Sequence, residues 1–360
     1  MSKRILLLIE NLGSGGAERQ LTGLAVMLKQ KGYEVEVWYY VKKEFYLPFL
    51  QENCVTGRYL HDANMSRKRY AALKKYIKAY NPDTVISYSV STSMIACMLK
   101  IWGARFSLIV SERNTTQKIT SRVKLRFFLY RWADYIVPNS YAQADFINSN
   151  FHELIEKVKV ITNYVDTEKF SPVDHEVKPE SDNTNIVCVG RMMSQKNIVS
   201  FIKVISRVIA DGYRVKVDWF GHDLHDDYSA QCHSLVKEYS LEDVFRFHMP
   251  STCIEQEYRK ADVFCLPSLY EGFPNVLCEA MSCGKPVLCC RVSDNAKIVK
   301  DGINGLLFDP LCVDDMVSKI ECYLEIPKED QLEMGRISRK ISIELFSKEN
   351  FISKYCVIIS

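Results

Sequence analysis

Short apolar runs alternate along the chain with longer stretches in which apolar positions recur every three or four residues. The short runs predict buried β-strands, and the longer stretches predict amphipathic helices. In the first half the predicted strands cover residues 5–9, 35–41, 84–88, 107–110, 135–138 and 158–161. In the second half they cover residues 186–189, 215–220, 244–247, 263–266, 287–289 and 306–308. The first-half helices are predicted over residues 17–31, 67–80, 91–102, 121–132 and 141–149.

This alternation is typical of βαβ units in parallel sheets. Residues 171–185 are rich in Pro, Asp, Glu and Ser and are interpreted as a linker. We therefore predict an α/β protein with two doubly wound, Rossmann-like domains that face each other across a cleft. The N-terminal domain would cover residues 1–170 and the C-terminal domain residues 186–340. Ligands of such sheets bind at the loops that follow the carboxyl ends of the strands.

Composition narrows the class of protein. The 360 residues fit two domains, and contents of 47% hydrophobic and 25% charged residues are ordinary for a globular protein. No apolar run approaches the ~20 residues of a membrane span. The apolar run at residues 5–9 is shorter than the minimum of ~7 residues for the apolar core of a signal peptide, so we expect a cytoplasmic protein. The 13 cysteines contain no Cys-x-x-Cys pair, which favours a reducing compartment and no metal site.

The net charge of +3 conceals an asymmetry between the halves. Residues 1–165 contain 24 Lys and Arg against 13 Asp and Glu, a net charge of +11, which leaves −8 for the remainder. A basic half can face anionic lipid, a phosphate-bearing acceptor or nucleic acid. No nucleic-acid-binding motif accompanies the charge, so we expect no nucleic acid partner.

The most informative stretch follows the predicted strand at residues 263–266. A loop over Glu271, Gly272, Phe273 and Pro274 leads into a helix that begins at Asn275, with Pro274 in its first turn. Glu279 lies on the second turn, and Gly284 is expected to cap the helix end. An anion at the helix N-terminus could have its neighbouring hydroxyl groups bound by the two carboxylates, which favours a phosphorylated sugar. The alternative for Glu279 alone is a solvent-facing side chain.

Two further loops offer phosphate-binding chemistry. Gly15 and Gly16 follow the first strand and open a helix, although a plain tight turn would look the same. The third glycine of a dinucleotide fingerprint is absent, because Glu18 stands in its place. Arg191 and Lys196 follow the first strand of the second half and could bind phosphate, or they could be solvated surface cations.

Polar groups also end two elements of the first half. Glu112 and Arg113 follow the strand at residues 107–110, and Asn163 closes the first half. They are acceptor-side candidates, but ordinary surface loops would have the same composition.

Together these motifs resemble glycosyltransferase family 4, the retaining nucleotide-sugar transferases with the GT-B fold. The resemblance spans almost the whole chain and is most specific in the Glu pair eight positions apart. The segment that begins at Phe346 resembles the closing segment of the family, so residues 341–360 are expected to form a helix that returns to the N-terminal domain. A His found in many family members is replaced here by the sequence Ser111-Glu112-Arg113-Asn114, which resembles a subgroup of bacterial surface-polysaccharide assembly.

The resemblance implies a role for each motif. Arg191 and Lys196 would neutralise the donor diphosphate as the bond to the sugar breaks. Glu271 would bind sugar hydroxyls near the reacting carbon, and Glu279 would bind ribose hydroxyls. The other donor-binding positions implied are Gly15, Gly16, Gly272, Phe273, Pro274 and Asn275. No Asp-x-Asp sequence occurs, so no metal and no cofactor beyond the nucleotide-sugar co-substrate is expected.

A membrane-surface or lipid-diphosphate acceptor would account for the basic half. Residues 118–132 combine five cations with apolar and aromatic side chains, a pattern that suits an anionic membrane surface, or a helix packed on the sheet with a solvated face. Our hypothesis is a retaining transferase that moves a hexosyl or N-acetylhexosaminyl group from a UDP-sugar to a lipid-linked or polysaccharide acceptor at the inner face of the cytoplasmic membrane. A nucleotide-sugar epimerase with the same fold and a non-catalytic subunit of a polysaccharide assembly complex are the alternatives.

Overall fold

A computed structural model describes residues 2–64, 66–113, 115–116, 118–172 and 182–359. The chain forms two compact units. Unit 1 consists of Met1–Tyr164 with Lys348–Ser360, and unit 2 consists of Val165–Ser347. Asn114 and most of the predicted linker lie outside the described residues.

Unit 1 is built on a parallel sheet of six strands. The strands are β1 (Arg4–Leu8), β2 (Glu34–Tyr39), β3 (Thr56–Tyr59), β4 (Thr84–Ser87), β5 (Ser107–Glu112) and β6 (Tyr135–Pro138). Their order in the sheet is β3-β2-β1-β4-β5-β6, so the direction of winding reverses between β1 and β4. The α-helices between them are α1 (Gly16–Gln30), α2 (Leu47–Glu52), α3 (Ser66–Tyr80), α4 (Val90–Ile101), α5 (Ser121–Leu129) and α6 (Tyr141–Asn150).

Unit 2 repeats this plan. Its strands are β7 (Thr184–Val189), β8 (Val215–Phe220), β9 (Phe245–His248), β10 (Val263–Leu266), β11 (Val287–Cys290) and β12 (Gly305–Phe308). They are parallel, in the order β12-β11-β10-β7-β8-β9, and the winding reverses between β7 and β10. The helices are α7 (Ile198–Ala210), α8 (Asp227–Glu238), α9 (Ile254–Lys260), α10 (Asn275–Ser282), α11 (Asn295–Ile298), α12 (Val313–Glu325) and α13 (Lys328–Phe346).

The last helix, α14 (Lys348–Ile359), belongs to unit 1. Side chains of β1 alternate between the two faces of the sheet, so that Leu7 packs in one apolar cluster and Leu6 in another. Phe351 and Tyr355 of α14 complete the cluster that contains Leu7. The predicted doubly wound sheets and the helix that returns to the N-terminal domain are confirmed. None of the helices described has the length and apolar character of a membrane span.

Some sequence predictions differ from the structure. Residues 158–161 do not form the predicted strand, although they lie along β6: Val158 makes an isolated bridge to Ile136, and the Lys159 and Ile161 N–H groups donate to Ile136 O and Pro138 O. β3 was not predicted, since its sequence Thr-Gly-Arg-Tyr at the sheet edge lacks an apolar run. Residues 165–170 belong to unit 2, where the Val165 N–H donates to Phe346 O at 2.8 Å. Residues 341–346 continue α13 and Ser347 caps it, so the returning segment begins at Lys348 rather than at residue 341.

Candidate active site

The carboxyl ends of β7 and β10 meet at the centre of the unit 2 sheet. Winding reverses between these neighbouring strands, which opens the kind of crevice where doubly wound sheets bind ligands. Arg191 and Lys196 follow β7, and Glu271 follows β10. The structure therefore brings these three predicted site residues to the carboxyl-terminal end of the strands in one sheet.

Lys196 and Glu271 form a buried ion pair at this end of the sheet. Lys196 Nζ lies 2.6 Å from Glu271 Oε1, and the two side chains are only 13% and 9% exposed. Gly190 makes room for the lysine, since a Cβ at Gly190 would lie 2.8 Å from Lys196 Cε. Asn197 ends the short 3₁₀ turn that carries Lys196 with a left-handed backbone, φ 57°, and its side chain donates to Pro310 O at 2.8 Å. The interpretation of Lys196 as a solvated surface cation is wrong.

Arg191 has a different environment from Lys196. It is exposed, and the structure gives it no hydrogen bond or ion pair with another described residue. Its neighbour Met192 is buried and its N–H donates to His222 O at 2.9 Å, which fixes the loop backbone. Arg191 is thus an exposed cation in the same loop after β7 as the paired Lys196.

The loop that carries Glu271 is hydrogen-bonded to the loops that follow β7 and β11, the two neighbours of β10 in the sheet. From the β7 side, Gln195 O accepts from the Leu269 N–H and its side chain donates to Tyr270 O, both at 2.8 Å. From the β11 side, Ser293 Oγ donates to Glu271 O at 2.6 Å. Gln195 and Ser293 were not singled out in the sequence, although both lie in loops that follow strands of this sheet.

The predicted donor-binding residues Gly272, Phe273, Pro274 and Asn275 lead into α10. Phe273 is buried and packs edge-to-face against Phe346, with ring centroids 5.5 Å apart. Pro274 precedes α10 at the N-cap position, and the helix itself begins at Asn275, so the prediction of Pro274 inside the first turn is wrong.

The other end of α10 places Glu279 in the interior. Cys283 is the C-cap residue, and Gly284 follows it with φ 73° and donates its N–H to Met281 O. Glu279 is 4% exposed, so the alternative of a solvent-facing side chain is wrong. Tyr258 Oη lies 3.5 Å from Glu279 Oε2. A buried carboxylate requires polar partners, which suits a group that accepts hydrogen bonds from a ligand.

Gly15 and Gly16 lie in unit 1, after β1. Gly15 is the N-cap residue of α1, and Gly16 is the first residue of the helix. A Cβ at Gly15 would lie 2.2 Å from Glu18 Oε2, so the glycine lets the carboxylate of Glu18 fold back over the helix N-terminus. This contact explains why glycine stands at residue 15, and the donor-binding role of both glycines stays a prediction.

A cavity of about 710 Å³ opens in unit 1 at the carboxyl ends of β1, β4 and β5. It lies at the point where the winding of this sheet reverses. The polar and charged residues of its wall include Glu10, Glu18, Arg69, Ser91, Glu112 and Arg113. Arg69 was not predicted; its guanidinium lies 3.9 Å from the Tyr40 ring centroid and donates to Ser91 Oγ at 3.1 Å.

Glu112 has its partners within unit 1. Tyr130 Oη donates to Glu112 Oε1 at 2.7 Å, and Arg126 Nη1 lies 3.4 Å from Oε2. Burial raises the pKa of the Glu112 carboxyl, while Arg126 and Tyr130 act in the opposite direction. Glu112 therefore serves to anchor Arg126 and α5 at the cavity wall.

Arg113 links Asn163, another acceptor-side candidate, to the returning helix. Its Nη1 donates to Asn163 Oδ1 and its Nη2 donates to Tyr355 Oη, both at 2.8 Å. The guanidinium also lies 4.1 Å from the Tyr88 ring centroid. The structure thus brings Arg113 and Asn163 together, with α14 as a third partner that the sequence did not indicate.

Among the residues that the structure describes, no group of three or more His, Cys, Asp or Glu side chains is arranged to hold a metal ion. The absence of a metal requirement stays a prediction.

Comparisons with known proteins agree with this geometry. Two family models match in succession, Glycosyltransferase Family 4 over residues 14–169 and Glycosyl transferases group 1 over residues 171–341. The chain is 26% identical over 312 residues to the amylovoran biosynthesis glycosyltransferase AmsD of Erwinia amylovora, covering 83% of this chain and 84% of that protein.

A second relative is the N-acetylgalactosamine-N,N'-diacetylbacillosaminyl-diphospho-undecaprenol 4-alpha-N-acetylgalactosaminyltransferase of Campylobacter jejuni. It is 25% identical over 344 residues, 91% of each chain. The solved structure of HepE from Anabaena in complex with UDP and glucose is similar at a TM-score of 0.83 and 18% identity, covering 99% of this chain and 98% of that one. The two matched family models and the two doubly wound sheets lead to one conclusion: the chain belongs to the family 4 glycosyltransferases and has the GT-B fold.

Proposed function

We propose that the protein is a retaining transferase that moves a hexosyl or N-acetylhexosaminyl group from a UDP-sugar to a lipid-linked acceptor in cell-surface glycan biosynthesis. The observation that carries the proposal is the buried pair of Lys196 and Glu271, with the exposed Arg191 in the same loop after β7 as Lys196. Where the strands end, the cation can bind a phosphate and the carboxylate can accept a hydrogen bond from a sugar hydroxyl. The UDP complex of HepE and the diphospho-undecaprenol in the name of the Campylobacter jejuni relative support the choice of donor and acceptor.

Each site residue then has a chemical task. The bond between the anomeric carbon and the diphosphate oxygen breaks, and a bond to the acceptor oxygen forms on the same face of the sugar. The acceptor hydroxyl releases its proton to the departing diphosphate. Lys196 and Arg191 stabilise the negative charge that grows on the diphosphate. Glu271 accepts hydrogen bonds from sugar hydroxyls once the diphosphate has drawn Lys196 toward itself, and Glu279 accepts them from the ribose.

The acceptor side of the proposal rests on α5 and the turn after it. Leu125, Phe128 and Trp132 are 51%, 47% and 36% exposed, and their spacing places them on one face. Arg131 lies beside this face, 5.2 Å from the Phe128 ring centroid. The opposite face packs into the core through Phe127, which is fully buried. An exposed stripe of aliphatic and aromatic side chains with a cation beside it suits peripheral binding to an anionic membrane.

Donor-dependent release of nucleoside diphosphate tests the reaction. Purified protein is incubated with a panel of nucleotide sugars, with and without lipid-diphosphate acceptors. We expect release from one UDP-sugar to increase in the presence of an acceptor, and the anomeric configuration of the product to be retained. An epimerised sugar formed without acceptor would replace the proposal by an epimerase. Donor binding without turnover on any acceptor would favour a non-catalytic subunit.

Vesicle sedimentation tests the membrane surface separately. Vesicles of anionic lipid at low salt should retain the wild-type protein, and the variant Leu125→Ser with Phe128→Ser should lose most of this binding. Leu332→Ser is the matched control, because Leu332 is a 64% exposed apolar side chain in unit 2. Equal retention of the double variant and the control would contradict the assigned surface.

A further inference from the structure

Ser293 binds the backbone of Glu271 at both of its polar groups. The Ser293 hydroxyl donates to Glu271 O at 2.6 Å and accepts a longer hydrogen bond from the Glu271 N–H at 3.4 Å. Ser293 stands three residues after the end of β11, the strand next to β10 on the side away from β7. One side chain from a neighbouring loop therefore holds the residue that carries the site carboxylate.

The backbone of Ser293 adopts a conformation that serine avoids. Its φ is 48°, in the left-handed region, where a Cβ clashes with the following carbonyl oxygen. Glycine adopts this conformation without the clash, so a residue chosen for the turn alone would be glycine. A strained non-glycine residue at a functional site indicates that its side chain is required. Here the hydroxyl has an identified task, which is the contact with Glu271.

The contact has a consequence for the ion pair. The hydrogen bonds of Ser293 to Glu271 O and N–H fix the backbone from which the Glu271 carboxylate extends. That carboxylate lies 2.6 Å from Lys196 Nζ. Gln195 restrains the preceding residue Tyr270 from the opposite side, by donating to its carbonyl oxygen at 2.8 Å. Of these two restraints, only the Ser293 hydroxyl acts on Glu271 itself.

We propose that Ser293 is a positioning residue that holds Glu271, through its backbone, in the orientation required for sugar transfer. The role rests on the proposed function, since Glu271 is assigned there to the reacting sugar. Ser293 does not contact the donor in this assignment; it acts through Glu271. Loss of the hydroxyl should therefore lower kcat, while the KM for the donor changes little because Arg191, Lys196 and Glu279 still bind it.

Three substitutions separate positioning from structural support. Ser293→Gly removes the hydroxyl and relieves the strained backbone, so thermal stability should be kept or raised while kcat falls about 10- to 100-fold. Ser293→Ala removes the hydroxyl and keeps the strain, so thermal stability and kcat should both fall. Ser293→Thr keeps the hydroxyl with a β-branched side chain, so the melting temperature should fall while kcat per folded molecule stays within about threefold. Ser293→Gly is thus expected to lose activity but not stability, and Ser293→Thr to lose stability but not activity.

Ser240→Gly is the matched control. Ser240 is an exposed serine of the same unit with φ 54°, at the end of α8, so its replacement relieves the same kind of strain without touching Glu271. Its kcat should equal that of the wild type. A Ser293→Gly variant with wild-type kcat, or activities that follow melting temperature across the series, would overturn the proposal.

Hydrogen exchange tests the positioning role of Ser293 independently of turnover. Backbone amides of residues 268–273 should exchange faster in Ser293→Gly and Ser293→Ala than in the wild type and Ser293→Thr, because the loop loses its restraint. Equal protection in all four proteins would overturn the positioning role even if no donor is ever turned over. A wild type that releases nucleoside diphosphate from no donor, but shows the expected exchange pattern, would instead refute the proposed function alone.

Discussion

Replacing Lys196 by alanine removes one half of a buried ion pair, whereas replacing Arg191 removes an exposed cation. Breaking a buried pair by deleting one partner costs about 3–5 kcal/mol, because the remaining charge stays in the interior. The two side chains retain 13% and 9% exposure, so we take the lower end, about 3 kcal/mol. In a unit of this size each kcal/mol lowers the melting temperature by about 2–4 °C, so Lys196→Ala should lower it by ~6–12 °C. Arg191→Ala should change stability by less than about 0.5 kcal/mol.

Catalysis should respond equally to both substitutions. Loss of one group that stabilises a developing anion lowers kcat by about 10²- to 10³-fold. Differential scanning calorimetry measures stability, and donor-dependent release of nucleoside diphosphate, below the lowest melting transition, measures kcat. We expect both alanine variants to lose most turnover, and Lys196→Ala alone to melt early.

A double variant identifies the cause of the instability. Lys196→Met combined with Glu271→Leu replaces the ion pair by apolar side chains of similar size, which is often neutral for stability. Its melting temperature should recover most of the loss seen in Lys196→Ala, and its activity should stay absent. The ion pair does not stabilise the protein as argued if the double variant has the same melting temperature as Lys196→Ala. The same conclusion follows if Lys196→Ala and Arg191→Ala have equal melting temperatures. Near-normal turnover of both alanine variants would refute the phosphate assignment.

Three other substitutions test the remaining assignments. Glu279→Ala should weaken donor binding about tenfold, or ~1.4 kcal/mol, and slow kcat less; a large fall in kcat at unchanged KM would contradict the ribose role. Arg113→Lys should destabilise the protein by about 1.5 kcal/mol in thermal unfolding, because lysine cannot replace the two hydrogen bonds and the ring contact. Wild-type stability of this variant would show that Arg113 does not hold α14 in place. The His233 side chain and then the His225 N–H lower the pKa of Asp223 from 3.8 to about 2, so this carboxylate contributes stability above pH 3.8 that is lost as the pH falls through about 2. Asp223→Asn should therefore be less stable than the wild type at pH 6, with a difference that closes toward pH 2 in urea titrations; a constant difference would exclude this linkage.

Most of the fold follows from the apolar pattern, because the strands of a parallel sheet are buried on both faces and appear as continuous apolar runs. β10, with the sequence Val-Phe-Cys-Leu, is predicted for this reason. β3 lies at an edge, where burial is one-sided and the sequence carries little signal. Residues 158–161 contain an apolar run and make two backbone hydrogen bonds to β6, but their single isolated bridge does not extend into a regular strand.

The candidate site was predicted in position but not in its contacts. The rule that ligands bind where strands end located Lys196 and Glu271. Their pairing depends on the space beside Gly190 and the left-handed turn at Asn197, which spacing alone does not reveal. The role of Ser293 depends on its positive φ, which could not be predicted from the sequence because serine rarely adopts it. Backbone conformation, more than residue type, separates what could be foreseen from what could not.

The membership of α14 in unit 1 has a consequence for how the chain is made. Residues 348–359 are synthesised only after all of unit 2 has been translated, yet they supply Phe351 and Tyr355 to the interior of unit 1. During synthesis the N-terminal sheet would therefore stay with one apolar face incomplete while unit 2 folds, although N-terminal units normally fold first. Unit 2, whose chain is continuous, can reach its native packing earlier. The first unit to emerge from the ribosome is in this protein the last to be finished.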